Sequence, residues 1–147
     1  MAEASSWPGR DGVDPRAGRE CAQKVYAQAG IADPLRELDV AEIYEPFSWI
    51  EVMWYENLGF CDVGDGWKLF DRGETELGGT LPVNPSGGVL STNPIGASGM
   101  IRMAEAALQV RGRAEGGHQV DGARVALGHA YGGGSNYFAM MVFGAEP

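Results

Sequence analysis

Apolar residues change their spacing several times along the chain, and each change marks an element. In AGRECAQKVYAQAGIADPL, Cys21, Val25 and Ala29 recur at helical spacing; Gly30 suits the helix stop, and Pro34 lies shortly beyond it. DVAEIYEPF predicts a strand from about Asp39 to Tyr44, with Val40, Ile43 and Phe47 apolar. Pro46 ends that strand and can sit in the first turn of the next helix. In SWIEVMWYENLGF, Trp49, Ile50, Met53, Trp54 and Leu58 form one helical face, closed by Gly59. Residues 60–79 keep no period and predict an irregular excursion with three exposed aromatics.

TLPVN predicts a short strand, GGVLSTNPIGASG a glycine-punctuated loop, and MIRMAEAALQVRG an amphipathic helix opening near Ser98. After the polar connector GRAEGGHQVDG come two apolar strands, ARVALGHA and NYFAMMVFG, and the tight link YGGGS between them suits an antiparallel pair. The order predicts an α/β layered domain: a mixed, mostly parallel sheet that ends in a hairpin, with helices on both faces. Residues 1–17 are polar and rich in Pro, Gly and Asp, which predicts a linker or arm ahead of one domain at 18–147.

Composition narrows the function. With 44% hydrophobic residues in 147, the chain can bury a real core. A net charge of −9 opposes phosphate backbones and anionic lipid, so neither nucleic acid nor a membrane is an expected partner. No run of eighteen apolar residues occurs and the amino terminus has no apolar signal core, so the expected compartment is the cytoplasm. Cys21 and Cys61 fit no metal spacing and need not pair, so no metal site is expected. The 23 glycines cluster at Gly78–Gly79, Gly87–Gly99 and Gly132–Gly134, where backbone turns tightly or approaches something closely.

Three polar sites follow apolar segments. The loop from Gly87 to Gly99 runs from a strand into a helix, where free N–H groups favour anionic or carbonyl oxygens. Capping and turn geometry explain Ser98 and these glycines equally well without a ligand. His129-Ala130-Tyr131-Gly132-Gly133-Gly134-Ser135 leaves the carboxyl end of an apolar strand, the edge where open α/β sheets gather ligands. Tyr44 and Glu45 end another strand and can share that edge. Taken singly, His129 reads equally as a satisfied core histidine and Tyr44 as a structural tyrosine.

In order and wording these segments resemble the carboxyl-terminal half of thiolases over about residues 17–144, especially the sterol-carrier-protein-type branch. DVAEIYEPFS resembles the strand that in thiolases ends in Asn-Glu or His-Asp before a Phe. GGVLSTNPIGASG resembles the GG…GHP-x-GA[ST]G segment, and HAYGGGSN the closing segment. The resemblance implies a thiolase-like carboxyl-terminal half, incomplete as a lone domain, and a partner in the form of a thiolase amino-terminal half or sister subunit.

The departures from the thiolase pattern bear on the reaction. Asn93 stands where thiolases carry the His of GHP, and the closing motif has His129-Ala130-Tyr131 in place of a cysteine. The nucleophilic cysteine of thiolases lies in their amino-terminal half, and neither Cys21 nor Cys61 sits in its setting; with neither that acyl-accepting thiolate nor a second acid/base, Claisen-type acyl transfer is disfavoured. The substitutions resemble the lipid-transfer-protein-type aldolases of steroid side-chain breakdown, which cleave a β-hydroxyacyl-CoA and act with an OB-fold, zinc-ribbon-type hydratase partner. That resemblance implies Tyr44 and Tyr131 as the acid/base pair with His129 beside them. Asn93, Gly96, Ser98, Gly132, Gly133 and Gly134 are then implied at the substrate, with CoA present only as part of its thioester. Retro-aldol cleavage needs a base, an acid and an oxyanion site but no covalent nucleophile. A tyrosine base must have its reference pKa of ~10 shifted down, by His129 or oriented N–H groups, or else act through water. The alternatives are a non-catalytic module that binds a CoA thioester or partner, and a true thiolase fragment.

Overall fold

A computed structural model describes residues 11–145. The expected arm at 1–17 falls mostly outside the described residues, and its last two belong to the first helix. The elements are α1 (Arg16–Ala29), α2 (Pro34–Glu37), β1 (Val40–Glu42), α3 (Ser48–Asn57), α4 (Gly66–Asp71), α5 (Gly88–Ser91), α6 (Ser98–Val110), β2 (Val125–Gly132) and β3 (Tyr137–Gly144). Gly30 ends α1 in the left-handed region at φ 74°, which glycine enters without steric cost.

The sheet is mixed, in the order β1-β2-β3. β1 runs parallel to β2 with Val40 opposite Ala126, and β2 pairs antiparallel with β3 from Val125 opposite Gly144 to Gly132 opposite Tyr137. Because side chains alternate, the sheet buries two different faces. Ala41, Ile43 and Leu127 join the larger core with Trp54, Leu58 and Phe138, beneath α1 and α3. Val40 and Ala126 face the other way and pack with Ala106 of α6.

The α6 face is built from small residues. A Cβ at Gly128 would lie 2.5 Å from Met103 Sδ, and one at Gly99 would lie 2.5 Å from Ala130 Cβ. Helix and strand therefore approach more closely than two ordinary side chains allow. Glu42, on the same side of β1 as Val40, receives the Arg102 guanidinium of α6 at 2.6 Å; both are buried.

Four expectations are corrected. TLPVN forms no strand of its own, because only one bridge, Ala41 with Val83, joins it to the sheet. The 60–79 excursion contains α4, a helix too short to reveal a period. Of its aromatics, Trp67 and Phe70 are exposed but Phe60 is buried in the core. Trp49 does not share the buried face of α3; it is exposed and stacks on Phe47 with ring centroids 6.2 Å apart.

Candidate active site

A cleft of about 960 Å³ opens where β1 and β2 end, over the start of α6. Tyr44, Asn93, Ser98, Tyr131 and the run from Gly132 to Gly134 line it, as does Gly96. Its remaining wall is largely apolar, with Phe47, Ile95, Met100, Met103 and Met141. No residue of the 60–79 excursion lines it.

Tyr44 lies beyond the last pair of the β1–β2 ladder, where Glu42 meets Gly128. Side chains hold its backbone instead. The Tyr44 N–H donates to His129 Nδ1 at 3.3 Å, and the Trp54 indole N–H donates to the Tyr44 carbonyl at 2.9 Å. The Tyr44 hydroxyl donates to Asn93 Oδ1 at 3.4 Å, and the Ser98 hydroxyl reaches the same oxygen at 2.7 Å. Ser98 is thus no helix cap: α6 is entered from Ala97, with no side-chain capping bond. Asn93 instead joins the 92–97 loop to Tyr44.

The Tyr131 ring lies 5.0 Å from that of Tyr44, tilted by 46°. Burial, with Tyr44 and Glu45 nearby, raises the Tyr131 pKa. Desolvation disfavours the Tyr131 phenolate, and among the described residues no cation offsets it, which suits an acid rather than a base. His129 is no such cation. It is fully buried, burial pushes its imidazole down to about 3, and it stays neutral behind the cleft wall. Its Nδ1 accepts from Tyr44, so Nε2 carries the proton, buried without a hydrogen-bond partner.

Glu45, which the sequence pattern placed at the strand end without a role, is the buried carboxyl of the site. Its Oε1 accepts the Val89 N–H at 2.8 Å, while Oε2 is buried without a partner. Burial pushes this carboxyl up to about 7. Gly88, at φ 57°, leaves the space the carboxyl occupies; a Cβ there would collide with Oε1. An acidic residue wedged between Tyr44 and Pro46 was the available signal. Trp54 was legible only as part of an apolar stripe, although a buried indole N–H almost always finds an acceptor.

Among the described residues, no group of three or more His, Cys, Asp or Glu side chains could hold a metal ion, and no helix is long and apolar enough to cross a membrane.

A parallel strand pair closed by an antiparallel hairpin, with a largely apolar cleft at the strand ends headed by two tyrosines, defines a thiolase-like carboxyl-terminal domain. The chain belongs to the thiolase C-terminal domain-like family, whose pattern matches residues 5–145. It is 44% identical over 115 residues to sterol carrier protein 2 of Homo sapiens, covering 78% of this chain and 20% of that protein. It is 38% identical over 108 residues to the acetyl-CoA acetyltransferase of Methanothermobacter thermautotrophicus, covering 73% and 28% respectively. Among solved structures, the Ltp2-ChsH2(DUF35) aldolase superposes with a TM-score of 0.75 at 29% identity, over 88% of this chain and 32% of that one. The chain therefore spans between a fifth and a third of the length of these relatives.

Proposed function

We propose that this domain forms part of a carbon–carbon lyase that cleaves a β-hydroxyacyl-CoA, of steroid side-chain type, into a ketone and a short acyl-CoA. One observation carries the reading: two tyrosine rings 5.0 Å apart head an apolar cleft whose lining includes no cysteine. The likeness to an aldolase of the same superfamily supports it.

The reaction asks for little else. A base takes the β-hydroxyl proton, the Cα–Cβ bond breaks, and its electrons pass into a thioester enolate that is then protonated on Cα. Tyr131, held neutral by burial, supplies that proton and is left as the phenolate. Tyr44, whose hydroxyl donates to Asn93 in the resting site, must give up its own proton to take that of the β-hydroxyl, and transfer of a proton from Tyr44 to Tyr131 then resets the pair. The enolate oxygen meets the first turn of α6, whose leading N–H groups have no intrahelical partner and whose Ser98, Gly99 and Met100 line the cleft. The Met-rich wall suits a bulky apolar acyl group.

Among the described residues no Lys or Arg lines the cleft, which leaves the CoA phosphates to a complementary amino-terminal half or sister subunit. A DUF35-type partner of the OB-fold, zinc-ribbon kind is the second expected component, by likeness to the Ltp2-ChsH2(DUF35) aldolase.

The test mixes this chain with a thiolase-type amino-terminal half and supplies a β-hydroxyacyl-CoA with a tertiary hydroxyl. The expected products are a ketone and a short acyl-CoA. Binding without turnover supports a module that only holds the thioester, and CoA-dependent thiolysis of a β-ketoacyl-CoA sinks the aldolase reading.

A further inference from the structure

We infer that Trp54 is the positioning residue of this site: one buried indole fixes Tyr44 and Tyr131 against each other. The inference rests on the reading of those tyrosines as the acid/base pair.

Trp54 has no exposed surface. It sits in α3 beneath the strand ends, and it reaches the two tyrosines by different means. Its indole N–H binds the Tyr44 carbonyl at 2.9 Å. The face and edge of the same ring meet Tyr131, with centroids 5.0 Å apart and planes at 64°. It also meets His129 at 5.2 Å and Phe138 at 5.6 Å, both edge-on. Edge-to-face contacts at these separations are attractive and directional, so rotating the indole would disturb every neighbour at once.

Tyr44 needs such a holder. Past the last ladder pair of β1, its N–H and carbonyl have no strand partner, and Pro46 prevents the backbone from continuing as a regular strand. His129 Nδ1 takes the N–H and Trp54 takes the carbonyl. His129 grips only Tyr44 by hydrogen bond, and its other ring nitrogen is unpartnered. His129 also stacks on Tyr131, with centroids 6.2 Å apart, but Trp54 holds both tyrosines at shorter range, with a 2.9 Å hydrogen bond to Tyr44 against 3.3 Å and a ring 5.0 Å from Tyr131. Reacting groups displaced by about 1 Å lose on the order of 10²-fold in rate. A residue that sets the spacing of the pair therefore acts on turnover without touching substrate, and Trp54 does not line the cleft.

The test replaces Trp54 with 3-benzothienylalanine, in which sulfur takes the place of the N–H and the ring shape is kept. Trp54→Phe serves as the second variant should the first fail to fold. Ring-labelled tyrosine allows the Tyr44–Tyr131 ring-to-ring nuclear Overhauser signal to be followed in the chain itself. kcat and KM are followed in the assembled enzyme. The expected result is a weakened ring-to-ring signal and a kcat lower by about 10–100-fold, with KM changed less than about twofold. An unchanged signal overturns the inference, even if the protein melts earlier, because that outcome marks a purely structural tryptophan. A weakened signal with unchanged kcat overturns it too. If the unsubstituted assembly cleaves nothing, the retro-aldol reading fails, and the ring-to-ring signal still decides whether Trp54 sets the pair.

Discussion

Arg102 Nη1 lies 2.6 Å from Glu42 Oε2, and this buried contact ties α6 to the end of β1. The Ser86 hydroxyl donates to the same carboxylate oxygen at 2.7 Å, so the loop that leads toward α5 is held at the same point. Removing one charge strands the other in the interior. Arg102→Met is expected to cost about 3–5 kcal/mol in urea denaturation, and replacing Glu42 with Met as well should recover most of that loss. Equal stability of the single and double variants would show that the pair is not energetically coupled.

At Tyr131 the expectation concerns rate. Tyr131→Phe keeps the ring against Trp54 and removes only the hydroxyl, so kcat in the assembled enzyme should fall by ~10²–10⁴ with little change in affinity. Tyr137→Phe is the control. Tyr137 is 59% exposed, its ring lies over Gly133, and it does not line the cleft. Its substitution should leave kcat within about twofold. Matching small effects at both positions would favour a module that binds without catalysis.

Glu45 predicts a pH dependence of stability. Burial pushes its carboxyl up to about 7, from the ordinary glutamate value of 4.5; Glu51 raises it further, and the Val89 N–H and Arg102 oppose the shift. The native state therefore holds a proton that the unfolded chain releases. The contribution is fully present below pH 4.5 and is lost as pH rises through 7, for a total of up to roughly 3 kcal/mol. Glu45→Gln cannot titrate yet still accepts from Val89. Denaturant midpoints measured from pH 4.5 to 8 should fall less steeply for this variant than for the unsubstituted protein; parallel curves would mean that Glu45 is not the titrating group.

Much of the fold was legible because the relevant signals are local. Gly30 stops α1, the helical period of α6 begins at Ser98, and the glycine link predicts the β2–β3 hairpin, all from neighbouring residues. The convergence of Tyr44, Asn93 and Tyr131 is not local, and it was legible only because the three motifs occur together in a family pattern. What escaped depends on surroundings no window contains. TLPVN has strand chemistry but one bridging partner, and Trp49 has helix-face spacing but finds Phe47 outside the core. The ionisation of Tyr131 and His129 turns on desolvation by side chains packed around them, which spacing cannot reveal.

The close approach of α6 to the sheet rests on atoms that are missing: glycine at 128 under Met103, and glycine at 99 over Ala130. Gly99, Met103 and Ala130 also line the cleft. Cleft depth and the seating of the helix are thus one variable, tuned in steps of a single methyl group. Preference for acyl size can drift through alanine and glycine exchanges along this seam while every polar atom of the site stays where it is. Homologues with identical tyrosines can then differ in what they admit.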